Sequence, residues 1–177
     1  MEEPRSSHGH RSRDAAAYGS RPTIHPLVSD VEMRGPWTAH IEAMDQTLAD
    51  RDPGAAARAW RTAYSSALCN PGWLGLLTVA RAALRLSAIP GLTQEAIARA
   101  GETCWIALFR ARQQRSLNGA LSAAAVFDVL GDRAAFEQSM RVVEALANRT
   151  GDADGADRAR LFIERLADKT RVAEQAP

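Results

Sequence analysis

Two arginines one helical turn apart, Arg81 and Arg85, interrupt the most apolar stretch of the chain. Guanidinium forks at that spacing can each grip a carboxylate. A second cationic run, Arg110, Arg112, Gln113, Gln114 and Arg115, ends the longest helix-period segment. There it complements the negative end of a helix dipole, and the same forks are able to hold a carboxylate or phosphate. The histidines offer less. His8-Gly9-His10 and His25 fall in a segment with no rigid shell to orient metal ligands. His40, beside Glu42 and Asp45, is expected on a solvated helix face. Cys69 and Cys104 lie in no Cys-x-x-Cys pair and near no histidine at ligand spacing, so both are expected as reduced, buried thiols in a reducing compartment. No nucleophile elbow, phosphate-cradling loop or dinucleotide fingerprint occurs. The expectation is no catalytic residue, no metal and no cofactor.

Charge points the same way. The 22 basic and 21 acidic residues leave a net charge of +1, without the field that concentrates nucleic acid or an anionic membrane. Among the basic residues only Lys169 is lysine, which with the abundance of alanine fits a GC-rich bacterial genome. The amino terminus has no cationic segment followed by an apolar core, and no run approaches the ~20 apolar residues of a membrane span. A cytoplasmic protein is expected, with neither a nucleic-acid nor a membrane partner.

The elements that must position these residues are helical. Residues 1–36 are rich in Ser, Gly, Pro, His and Arg without apolar period, and are expected to be a disordered tail, as are residues 174–177. From Trp37 a helix carries Trp37, Ile41, Met44 and Leu48 on one stripe. Asp52-Pro53 is a cap followed by proline at the first helical position, and the second helix buries Ala56, Trp60, Ala63, Tyr64, Ala67 and Leu68. Asn70-Pro71 repeats the device and opens a third helix, Gly72 to about Ala88, apolar around much of its circumference. Thr93 is expected to cap a long fourth helix reaching about Arg115, with Ile97, Ala100, Cys104, Ala107, Leu108 and Ala111 inward. The fifth runs from about Asn118 to Leu130, with Leu121, Ala124, Ala125 and either Phe127 or Val126 inward. Gly131 and Asp132 then end it and cap a sixth that buries Phe136, Met140, Val143 and Leu146. A final helix, about Ala153 to Ala173, presents Ala159, Phe162, Ile163 and Leu166 against a charged remainder, as an element covering the end of a stack would.

Three hairpins thus begin near Trp37, Pro71 and Leu117, at offsets of 34 and 46 residues. Ala56, Trp60 and Ala63 have the small, aromatic, small spacing of the second helix of a tetratricopeptide repeat, Pro71 falls near that repeat's closing proline, and Leu130-Gly131-Asp132 with Phe127 is similar to its inter-helix turn and first-helix aromatic. Over residues 37–173 the chain resembles the tetratricopeptide repeat family. It departs where Phe136 takes a small position and Ala120 replaces the early tryptophan. The resemblance implies an all-α fold of about seven antiparallel helices stacked as hairpins in an α-α superhelix, with a C-terminal capping helix. It transfers no functional residue.

In such a stack the first helix of each pair lines the concave face, where Arg81, Arg85, Asn118 and Ser122 would converge with Trp73 as an apolar anchor. The expected function is a non-enzymatic protein–protein interaction module, an adaptor or scaffold holding a peptide or partner helix, with an acidic partner favoured. Arg110, Arg112 and Arg115 form a secondary basic patch. The alternative is a regulatory domain sensing a small amphipathic molecule among the helices around Trp60, Trp73 and Trp105.

Overall fold

The computed structural model describes residues 34–150 and 157–164. These are all helical apart from turns: α1 (Thr38–Ala49), α2 (Pro53–Cys69), α3 (Leu74–Leu86), α4 (Thr93–Gln113), α5 (Leu117–Leu130), α6 (Arg133–Thr150) and α7 (residues 157–164). Residues 1–33 of the tail expected at 1–36, the tail expected at 174–177, the break at 151–152 and Leu166 lie outside the described residues, while Gly35 is tied to the start of α1 by bonds with Thr38.

The breaks use the chemistry that the sequence offers. Asp52 accepts the Ala55 N–H at 2.8 Å and Asp132 that of Ala135 at 3.0 Å, each satisfying an orphan donor of a first turn. Ser116 does the same for α5 through Gly119 N at 3.1 Å. Gly131 closes α5 at φ 71°, and Arg51 and Arg115 hold the same left-handed conformation at the ends of α1 and α4, at φ 60° and 54°. A Cβ makes that conformation costly, by about 1–2 kcal/mol.

Two expected caps work differently. Asn70 accepts the Gly72 N–H at 2.9 Å, but the helix begins two residues later, at Leu74. This Asx turn shapes the linker rather than capping α3. Thr93 is already helical, and its hydroxyl donates back to the carbonyls of Ser87 and Ile89 at 2.8 and 3.3 Å, pinning the α3–α4 turn.

Each helix from α1 to α6 packs on the next, α3 also touches α1 and α5, and α4 touches α6. α1, α3 and α5 therefore share one side and α4 and α6 another, with α3 in the middle as its apolar circumference requires. Small residues set the close approaches. A Cβ on Gly75 would lie 2.7 Å from the Trp37 ring, and one on Gly119 would lie 2.7 Å from the Ala111 Cβ and 2.8 Å from the Trp73 ring. Trp60 is buried, donates its indole N–H to the Val79 carbonyl at 3.0 Å and stacks on Tyr64 with ring centroids 5.6 Å apart.

The inner faces match the expected stripes with four exceptions. Leu68 (40% exposed) faces solvent near the end of α2, Ala96 rather than Ile97 points inward from α4, Ile163 lies on the outside of α7, and Cys69 is exposed while Cys104 is buried. Leu68, Ile97 and Ile163 each sit one position off the stripe that packing selects, an ambiguity of about 100° that periodicity alone leaves open, and Cys69 ends α2 beyond its last buried residue, Ala67. Val126 and Phe127 are both buried, because α5 has neighbours on three sides.

Candidate functional site

Of the residues expected to form a concave groove, all but Arg81 have partners or are packed inside the fold. Arg85 makes a two-pronged pair with Asp45 of α1, at 2.8 and 3.0 Å, both side chains nearly half exposed. Asn118 accepts a hydrogen bond from Arg158 of α7 at 3.1 Å. Ser122 is buried, and the Trp73 ring lies over Gly119 and Ala111, packed between α3, α4 and α5. Arg81 has an exposed surface overall, yet burial among neighbouring atoms lowers the pKa of its guanidinium, with the nearby Cys104 opposing the shift. It stays charged at neutral pH. The same crowding pushes the Cys104 thiol up to about 12, and its Sγ sits 3.4 Å from the Ala123 carbonyl. An inert thiol is the consequence.

The second basic run divides by role. Arg110 donates to the carbonyls of Leu68 (2.9 Å), Asn70 and Gly72 (3.3 Å), and Gln114 donates to that of Pro71 at 2.8 Å. These bonds satisfy the carbonyls at the end of α2 and tie the α2–α3 linker to α4, so Arg110 belongs to the scaffold. Arg112 and Arg115 are exposed and face elsewhere, into a groove between α4 and α6 of about 590 Å³.

To that groove α6 contributes what the sequence reading missed. Gln138, Arg141, Val142, Ala145 and Arg149 recur at three- and four-residue spacing, so they line one face of α6. Phe109, Arg112 and Gln113 do the same on α4. Phe109 is 58% exposed, a large ring left in water, and Trp105 one turn earlier is 42% exposed with its ring 4.9 Å from that of Phe127. No carboxylate lines the groove. Among the described residues Arg112, Arg115 and Arg149 have no ion pair, and Arg141 is held only by the neutral Gln138 Oε1, at 2.8 and 3.0 Å. Of the acids on α4 and α6, Glu102 pairs with Arg99 and Glu137 with Arg133.

The cleft by Trp60 is of another kind. Lined by Trp60, Leu86, Leu92 and Ala96, with Arg61, Glu95 and Arg99 beside them, it holds about 40 Å³. That is far below the ~300–1,000 Å³ of small-molecule pockets. Trp73 and Trp105 do not line it.

His40 lies on α1, half-buried, and among the described residues no group of three or more His, Cys, Asp or Glu is arranged to hold a metal ion. His8, His10 and His25 lie outside the described residues. No helix among the described residues is long and apolar enough to cross a membrane. Comparison with protein families, with curated proteins and with solved structures finds no match to this chain.

Proposed function

We propose that the chain is a non-enzymatic interaction module, an adaptor or scaffold whose hairpins stack in the manner of tetratricopeptide repeats and present a surface to a protein partner. The observation that carries this reading is the outer side of α4, where Trp105 and Phe109 are 42% and 58% exposed beside arginines that lack carboxylate partners. Exposed aromatics next to arginine are the composition of interface hot spots, because both give large contact area at low entropic cost. Leaving them in water without a use is unfavourable by about 25 cal/mol per Å² of apolar surface. The reading favours the α4–α6 side over the side shared by α1, α3 and α5, where Arg85 is paired with Asp45 and Asn118 with Arg158.

The test is site-specific photo-crosslinking in native cells, with the reactive residue placed at Trp105 and, as a control, at Arg58 of α2. The reading requires discrete protein adducts from position 105 that are absent from position 58. Identical or absent adducts at both positions contradict it.

A further inference from the structure

We infer that the α4–α6 groove is the docking site for an acidic amphipathic helix of a partner protein. This rests on the interaction-module reading and names the chemistry of what it binds. Shape sets the size of the occupant. From Gln138 to Arg149 the α6 wall runs about 16 Å at the helical rise of 1.5 Å per residue, enough for three turns of a docked helix. The floor is apolar and stepped: Phe109 stands on one wall, Val142 on the other, and Ala145 leaves room between them for a large side chain. That arrangement takes apolar anchors repeating at three- and four-residue spacing.

Charge then decides the partner's polar face. Arginines on both walls, Arg112 and Arg115 from α4 and Arg141 and Arg149 from α6, rim the floor without an acid. Arg112 complements the dipole at the end of its own helix. A dipole does not account for Arg141, which stands mid-helix in α6 and faces the same opening. Carboxylates from a partner would satisfy these guanidinium groups in two-pronged bonds at the edge of a partly dried floor, where such bonds are strongest. Within the chain, α7 does not supply the occupant: it lies against Glu144, Ala147 and Asn148, a different face of α6.

The experiment selects phage-displayed peptides of about 15 residues, long enough for four helical turns, on the full chain. The enriched sequences are then synthesised and measured by fluorescence anisotropy. Enriched peptides should carry net negative charge with Leu, Phe or Trp at i, i+3 or i+4 and i+7. Their affinity should drop tenfold or more in Arg112→Gln/Arg141→Gln and in Ala145→Trp, which fills the floor, and should weaken as salt is added. Both variants alter exposed positions, and unchanged circular dichroism confirms their folding. Peptides without acidic bias, or no enrichment at all, overturn the inference. So does tighter binding of single-stranded nucleic acid at the same arginines, or a homodimer that these variants dissociate. Acidic peptides whose binding ignores both variants overturn the groove and leave the interaction-module reading standing. Failure of crosslinking at Trp105 would remove that reading itself.

Discussion

Two glycines on adjoining helices should respond oppositely to the same substitution. Gly119 in α5 and Gly101 in α4 are both helical, so Ala at either position gains about 0.8–1.0 kcal/mol of helix propensity. At Gly101 no atom lies within 4 Å of the new Cβ, and the gain is kept. At Gly119 the new Cβ lands 2.7 Å from the Ala111 Cβ and 2.8 Å from Cδ2 of Trp73. Neither obstacle is the free end of a flexible chain, so α5 must move away from α4, and overpacking of this kind costs about 1–3 kcal/mol. Gly119→Ala should therefore be destabilised by about 1–2 kcal/mol and Gly101→Ala stabilised by about 0.5–1 kcal/mol. In a domain of this size the two should melt about 6–12 °C apart, at roughly 4 °C per kcal/mol. Thermal unfolding followed by far-ultraviolet circular dichroism reads the difference, with urea titration to confirm it. If Gly119→Ala melts at or above the parent, Trp73 is not wedged between α3, α4 and α5.

Trp60→Ala should destabilise by about 3–5 kcal/mol in urea unfolding, because the ring fills the space between Ala56 and Ala63 and its neighbours are helices that close over it only partly. Arg110→Ala should cost about 1.5–3 kcal/mol by the same assay, since it strips charge-assisted bonds from the end of α2, whereas Arg112→Ala, two residues on, should change stability by less than ~0.5 kcal/mol. In the native chain a thiol reagent should modify Cys69 rapidly and Cys104 only upon unfolding. With its pKa near 12 when folded and about 8.5 when unfolded, Cys104 keeps a proton that the unfolded chain loses. Stability should accordingly fall as pH rises through that window, and Cys104→Ala should flatten this part of the melting-temperature profile.

Much of the fold is legible in the sequence because its signals are local. Asp52-Pro53 and Gly131-Asp132 specify their turns through bonds to atoms five residues away or less, and stripes such as Trp37, Ile41 and Met44 need only a regular helix. The errors share one cause, dependence on what lies across a gap. Ile97 and Ala96 are equally placed by periodicity, and only the position of α3 selects the alanine. Asn70-Pro71 looks like a cap, but Arg110, 40 residues away in sequence, holds the carbonyls around it and delays the helix to Leu74.

The candidate site is half legible for the same reason. Arg112 and Arg115 stand out as a run at a helix end, whereas Arg141 and Arg149 are eight residues apart on a face that reads as ordinary solvated surface. Nothing in the sequence says that the two faces meet, because α4 and α6 are joined only through α5. Arg85 likewise looks available until Asp45 is seen to close on it from α1.

The central claim is that the binding surface lies between α4 and α6 rather than along α1, α3 and α5. One measurement separates the two: the affinity, at low salt, of one acidic partner peptide for the parent, for Arg112→Gln/Arg141→Gln and for Arg81→Gln/Arg85→Gln. Loss of charge-assisted contacts should weaken the first double variant by about 1.5–3 kcal/mol, tenfold or more, and leave the second within twofold of the parent. A peptide that binds the first variant as tightly as the parent and loses tenfold or more on the second contradicts the claim and returns the site to Arg81 and Arg85.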